Sequence, residues 1–157
     1  MKISLRKAIL HDADLTFNIE QFSIKEYANS FYATEKKTYK NEFNYADIQI
    51  IELETENNYD SKAIGYLEID EKNHSFEIIN ILIHKDFQNQ GFGKLLLAEI
   101  IKEAQTKSKG IELQVLKNNP KAKRFYENAG FQVYFETEFE FKMKFSHANK
   151  LFRNQMD

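Results

Sequence analysis

The chain has 157 residues, a net charge of −2 from 22 basic and 24 acidic side chains, and no cysteine. Five glycines and a single proline exclude collagen-like, linker-like and Pro-rich disordered chains. The lack of thiols excludes disulfides, thiolate nucleophiles and Cys-ligated zinc, and the near balance of charge argues against a nucleic-acid binder driven by phosphate contacts.

With 42% apolar residues and fourteen Phe, a chain of this length is expected to form one domain and bury about 70% of its unfolded surface. Residues 1–6 lack the apolar stretch of a signal peptide, and no apolar run approaches the roughly 18 residues of a membrane span. A soluble, cytoplasmic protein without membrane contact is expected.

Ile3 and Leu5 alternate with polar neighbours and predict a first strand. Asp12 stands where it can cap a helix carrying Leu15, Ile19, Phe22 and Tyr27. A second, aromatic-rich helix is expected over 33–43, then a strand over 47–54 and a loop over 57–61. Strands over 63–70 and 75–84 flank a polar turn at Lys72, Asn73 and His74. From Gly91 the period becomes helical, with Leu96, Leu97, Ile100, Ile101 and Ala104 as its apolar stripe and Gly110 as its C-terminal cap. A strand over 111–116 follows. Asn119 and Pro120 then open a short helix with Ala122, Phe125, Tyr126 and Ala129 inward, closed by Gly130. Strands over 131–135 and 139–145 come last, and 146–157 reads as a tail. The order predicts an α/β (α+β) domain over 1–145, a mixed sheet of about seven strands with about four helices.

Gly91, Gly93, Gly110, Pro120 and Gly130 cluster within residues 91–130, leaving Gly65 alone in a strand, where a bulge is the usual reason. Residues 85–124 carry nine basic and four acidic side chains, a local +5 in an otherwise acidic chain. Such a segment suits a small anionic ligand, although solvated helix faces give the same count.

The sharpest feature is Gln88-Asn89-Gln90-Gly91-Phe92-Gly93-Lys94, between an apolar strand and an amphipathic helix. Backbone N–H groups of such a turn can converge on an anion, and the helix N-terminus adds partial positive charge. A dinucleotide fingerprint would need a third glycine where Leu96 stands, and a Walker A loop would need Ser or Thr where Leu95 stands. A tight turn into a helix remains the plain alternative.

Residues Ile83-His84-Lys85-Asp86-Phe87-Gln88-Asn89-Gln90-Gly91-Phe92-Gly93 resemble the central acetyl-CoA-binding motif of the GNAT superfamily of N-acetyltransferases, whose core is Gln/Arg-x-x-Gly-x-Gly/Ala. Asn119-Pro120-Lys121-Ala122-Lys123-Arg124-Phe125-Tyr126-Glu127-Asn128-Ala129-Gly130-Phe131 resembles the second motif of that family, Asn-x-x-Ala-x-x-x-Tyr-Glu-x-x-Gly-Phe. The likeness is clear over 75–135, whereas the 11–45 region resembles the family only in being helical and aromatic.

The resemblance implies a GNAT-like fold in which parallel strands 75–84 and 111–116 splay to admit the donor. It implies that the backbone of Leu82 and Ile83 pairs with the pantetheine arm. The amides of Gln88, Asn89, Gln90, Gly91, Phe92, Gly93 and Lys94 would hold the pyrophosphate, Asn119 would bond the arm, and Tyr126 would aim its hydroxyl at the thioester sulfur. Acetyl-CoA is the implied cosubstrate, with no metal, and a small-molecule amine is the implied acceptor. Acetylation of a protein N-terminus or lysine, and a non-catalytic acyl-CoA sensor, stay open as alternatives. So does the choice between monomer and homodimer.

A lysine-type amine, with pKa about 10.4, is neutral in only about one molecule in two thousand at pH 7, so a base or a water relay is useful. Glu77 lies six residues before Ile83, where some family members carry a catalytic Glu; an exposed site or an ion pair explains it equally. Other members place a base where this chain has Gln114, which cannot take a proton. His84 reads as a strand-end surface residue. Lys121, Lys123 and Arg124 either meet the nucleotide's 3′-phosphate or form a solvated helix face. Tyr27, Phe31, Tyr32, Tyr134 and Phe135 are candidate walls for the acceptor unless they are core, with Glu136, Glu138 and Glu140 favouring a cation.

Overall fold

The computed structural model describes residues 2–27, 43–54 and 60–145, with the side chains of 24–27 set aside. The helix expected over 33–43, most of the loop over 57–61 and the tail over 146–157 therefore lie outside the described residues. In chain order come β1 (Lys2–Lys7), α1 (Ala13–Tyr27), β2 (Ile48–Glu54), β3 (Ser61–Glu71) and β4 (Ser75–Ile83). Then follow α2 (Phe92–Thr106), β5 (Gly110–Leu116), α3 (Pro120–Asn128), β6 (Gln132–Glu136) and β7 (Glu140–Phe145). The seven strands are ordered β1-β2-β3-β4-β5-β7-β6, and β4 with β5 is a parallel pair in an otherwise largely antiparallel sheet. This is the mixed α/β arrangement that the element order predicts, with three α-helices among the described residues.

The chain falls into two compact units, the first within residues 1–69 and 80–96 and the second within 70–79 and 97–157. In the first, Ala8, Ile19, Ile48, Ile50 and Tyr66 form a buried core, with Leu15, Phe43, Ala63 and Leu82 packed against it. Each fully buried large apolar side chain contributes about 1.5–3 kcal/mol relative to exposure. Four consecutive residues of β3, Ile64 to Leu67, are buried, which breaks the alternation expected of a half-covered strand. The cause is a bulge: Ile51 pairs with Gly65 and Glu52 with Ala63, so Ile64 has no register partner on β2. The bulge expected at the isolated glycine is present.

Asp12 does not cap α1 in the manner the sequence predicts. Its carboxylate receives both Arg6 guanidinium Nη atoms at 2.8 Å and the Ile9 N–H at 2.8 Å, closing a 3₁₀ turn over Leu10–Asp12 ahead of the helix. Arg6 Nε also reaches Glu52 at 2.7 Å, so one guanidinium ties β1, β2 and the start of α1.

In the second unit, Ile111, Leu113 and Val115 of β5 are buried while Glu112, Gln114 and Leu116 face outward. Strand β7 lies between β5 and β6, with Met143 and Phe145 buried. Helix α3 ends as predicted. Gly130 has φ +102°, Phe131 N–H bonds Tyr126 C=O at 3.1 Å, and Gly130 N–H bonds Glu127 C=O at 3.0 Å. Helix α2 ends with the same pair of bonds but a different residue: Ser108 takes φ 54°, and Lys109 N–H bonds Ala104 C=O at 2.8 Å. Gly110, expected as this cap, instead opens β5 and donates its N–H to His74 C=O at 3.0 Å.

The Arg6 hydrogen bonds hold the Asp12 carboxyl below its ordinary value, with the Ile9 N–H and His11 adding to the effect against the opposing influence of burial. A depressed folded-state pKa gives stability that is present above the unfolded value, about 3.9, and lost as pH falls through the folded value. Asp12→Asn should therefore lower stability by about 2 kcal/mol at pH 7. It should also flatten the fall in urea midpoint below about pH 4 relative to the parent protein, as read by fluorescence or circular dichroism.

Candidate functional site

The turn from β4 into α2 is built to expose backbone donors. Gln88 N–H bonds Lys85 C=O at 3.3 Å, and the next backbone hydrogen bond along the chain is from Leu95 N–H to Gly91 C=O at 3.1 Å. Among the described residues, the N–H groups from Asn89 to Lys94 thus have no backbone acceptor. Asn89 at φ 60° and Gly91 at φ 88° curl the chain here, and successive N–H groups in such alternating conformations line a concavity. A Cβ on Gly91 would point into open space, with nothing within 4 Å. The turn is fixed from behind, since Gln88 Nε2 donates to Ile83 C=O at 2.9 Å and Gln90 Nε2 to Asp86 C=O at 2.9 Å. The Phe92 side chain is buried, leaving its N–H as what it offers the turn, and Lys94 is exposed.

The end of β4 presents one residue edge-on. His84 N–H donates to Ile64 C=O of β3 at 2.7 Å, so in the trans peptide the Ile83 carbonyl points the other way, where Gln88 meets it. Leu82 directs its carbonyl at Gly65 of β3, and the Ile83 N–H of that same peptide points away from β3. Both backbone groups of Ile83 therefore face one side. Of Leu82 and Ile83, only Ile83 has both its backbone groups turned away from β3.

The second unit holds Tyr126 and Asn119. Tyr126 is 9% exposed, with its ring edge-on to Phe125 at 5.1 Å and to Phe131 at 5.5 Å. Its hydroxyl has no hydrogen-bond partner among the described residues, and burial pushes its pKa up to about 12. The ring of Tyr126 is part of the core, as its place on the inward face of α3 predicts. Asn119 caps α3, its Oδ1 accepting from Ala122 N–H at 3.0 Å.

Glu77 sits in β4 directly beside Glu112 of β5, and the Lys72 ammonium pairs with it. Lys144, opposite Glu112 in β7, lies 5.3 Å from the centre of the Tyr134 ring. Tyr134 has its pKa raised by partial burial and by Glu112 and Glu77 nearby. Glu77, Glu112, Lys72, Lys144 and Tyr134 thus make one polar patch on the sheet of this unit. Glu112 is not among the residues the sequence singles out, because its place beside Glu77 is set by strand register.

The remaining candidates scatter. His84 accepts from Asp86 N–H at 3.3 Å and caps the short turn that precedes the phosphate-type loop. Lys123 pairs with Glu127 and lies 5.2 Å over the Phe141 ring, while Lys121 and Arg124 are exposed. Tyr134 and Phe135 are exposed on β6, and Glu136 pairs with Lys117 at 3.0 Å. Phe31, Tyr32 and the Tyr27 side chain lie outside the described residues.

The sequence profile of the acetyltransferase (GNAT) domain matches residues 49–133. An uncharacterized N-acetyltransferase, ycf52, of Gracilaria tenuistipitata var. liui is 43% identical over 54 residues, spanning 34% of this chain and only 29% of that relative. The fold matches the PaiA N-acetyltransferase of Thermoplasma acidophilum, solved in complex with coenzyme A, with TM-score 0.70 and 20% identity, covering 94% of this chain and 100% of that one. It also matches an acetyltransferase from Thermus thermophilus, with TM-score 0.74 and 18% identity over 92% of this chain and 97% of that one.

Tyr126 should ionise well above the ordinary tyrosine value of about 10, because burial penalises its phenolate. In a spectrophotometric titration of the folded protein, Tyr126→Phe should lower the amplitude of the late, high-pH part of the curve by one tyrosine and leave the early part unchanged.

Proposed function

Because this chain belongs to the GNAT acetyltransferase family, we propose that it moves an acetyl group from acetyl-CoA to a primary amine of a small molecule, by direct attack with both substrates bound. The observation that carries this reading is the run of acceptor-free N–H groups from Asn89 to Lys94 around the open side of Gly91. A pyrophosphate offers those donors charged oxygens, and the N-terminus of α2 adds its partial positive charge. Ile83 offers the pantetheine arm one N–H and one carbonyl, the latter shared with Gln88. The Asn119 amide nitrogen is a further donor to that arm.

Bound to the chain, acetyl-CoA supplies a thioester open to attack by an amine. Tyr126 keeps its proton at neutral pH because its phenolate is disfavoured by burial, and its unpartnered hydroxyl is the donor for the departing thiolate. Glu77 is the carboxylate assigned to take the amine proton, directly or through water, with Lys72 holding it in place. Glu112 beside Glu77 adds a second carboxylate to the same patch, where Lys72 and Lys144 offset the two charges. No helix among the described residues is long and apolar enough to cross a membrane.

The test is thiol release from acetyl-CoA across amines, polyamines, amino sugars, amino acids and peptides. Turnover best on a small amine is the expected result; turnover confined to peptides would move the assignment to protein acetylation. Gly91→Val should abolish acetyl-CoA binding in calorimetry, because φ 88° strains a branched residue and its side chain fills the space over the amides. Tyr126→Phe should lower kcat by about a hundredfold with donor affinity nearly kept. Unchanged kcat would remove Tyr126 from the chemistry.

A further inference from the structure

The isolated glycine of β3 does more than permit a bulge. A Cβ placed on Gly65 would lie 2.3 Å from Leu82 O, 3.1 Å from Ile83 Cα and 3.2 Å from Ile51 Cδ1. Two of those three atoms are β4 backbone, which cannot step aside as a side-chain tip can. The Leu82 carbonyl is turned into β3 at the one position where no side chain stands, and His84 N–H is held by the carbonyl of the bulged Ile64 at 2.7 Å. Since a trans peptide fixes its C=O and N–H on opposite sides, the direction of the Leu82 carbonyl sets the direction of the Ile83 N–H.

We propose that Gly65 is a positioning residue for the donor's pantetheine arm: lacking a Cβ, it lets the Leu82–Ile83 peptide turn its N–H outward to pair with that arm. This rests on the reading of the first unit as an acyl-CoA holder. Gly65 touches no ligand and acts through the β4 backbone. A methyl group at position 65 pushes the Leu82 carbonyl out of β3 and rotates the peptide, so the Ile83 N–H leaves its line. The donor turn from Asn89 to Lys94 keeps its own shape, being held by Gln88 and Gln90.

The experiment compares two probes by calorimetry on the full chain: CoA, and adenosine 3′-phosphate 5′-diphosphate, which is CoA cut off at the pyrophosphate. Gly65→Ala should weaken CoA about fivefold to tenfold, the effect of one misdirected hydrogen bond, and leave the cut probe unchanged. Where the new methyl also destabilises the core, the cut probe is the control on folding: a Gly65→Ala protein that keeps its affinity for the cut probe while losing affinity for CoA still holds a folded donor turn, which a general loss of structure would not produce. An equal loss for both probes, or no loss for either, would overturn the proposal. A parent protein that binds neither probe would overturn the acyl-CoA reading itself, and this inference with it.

Discussion

A backbone N–H without an acceptor is a standing demand for one, and this chain places six in a row, from Asn89 to Lys94. Three of them are the unavoidable free donors of a helix start, at Phe92, Gly93 and Lys94. The other three are made by curling the chain through positive φ at Asn89 and Gly91. Much of the first unit can be read as the support for that turn. Gln88 and Gln90 close it from behind, the bulge at Ile64 sets the end of β4 that feeds it, and buried Phe92 and Leu96 seat the helix that follows.

The second unit carries a different kind of group. Its aromatic chain, Phe125, Tyr126, Phe131 and Phe145, is packed ring to ring, and Gly130 makes that packing possible. At φ +102° the position already disfavours a side chain, and a Cβ would approach the Phe145 ring to 3.2 Å. Rigid packing of the Tyr126 ring is what gives its hydroxyl a fixed place without a hydrogen bond to hold it. The burial that fixes the ring also keeps the proton on the hydroxyl, so one cause sets both its place and its protonation.

The turn, the Asn119 cap and the Gly130 stop are legible in the sequence because each depends on neighbours within a few residues. Asn119 bonds Ala122, and Gly130 closes bonds to Tyr126 and Glu127. Gly110 misleads for the opposite reason. In a glycine-poor chain it stands out as a helix stop, yet Ser108 accepts φ 54° and frees Gly110 for β5. Asp12 reads as a local cap, but Arg6, a strand away, captures its carboxylate. Glu77 with Lys72 and Glu112, and Gly65 with Leu82, are pairings of strand register and bulge geometry, which sequence spacing does not display. The family profile spans the turn and α3, where the motifs lie, and the acceptor side of the chemistry is where local signals are weakest.

The central claim is that the N–H groups from Asn89 to Lys94 are the donor's pyrophosphate site. Amide chemical shifts of the uniformly labelled protein, followed during titration with CoA, test it most directly. Saturable downfield shifts concentrated on Asn89, Gln90, Gly91, Phe92, Gly93 and Lys94 are the predicted result. Binding of CoA that leaves those six amides where they were, with its shifts elsewhere on the chain, would contradict the account.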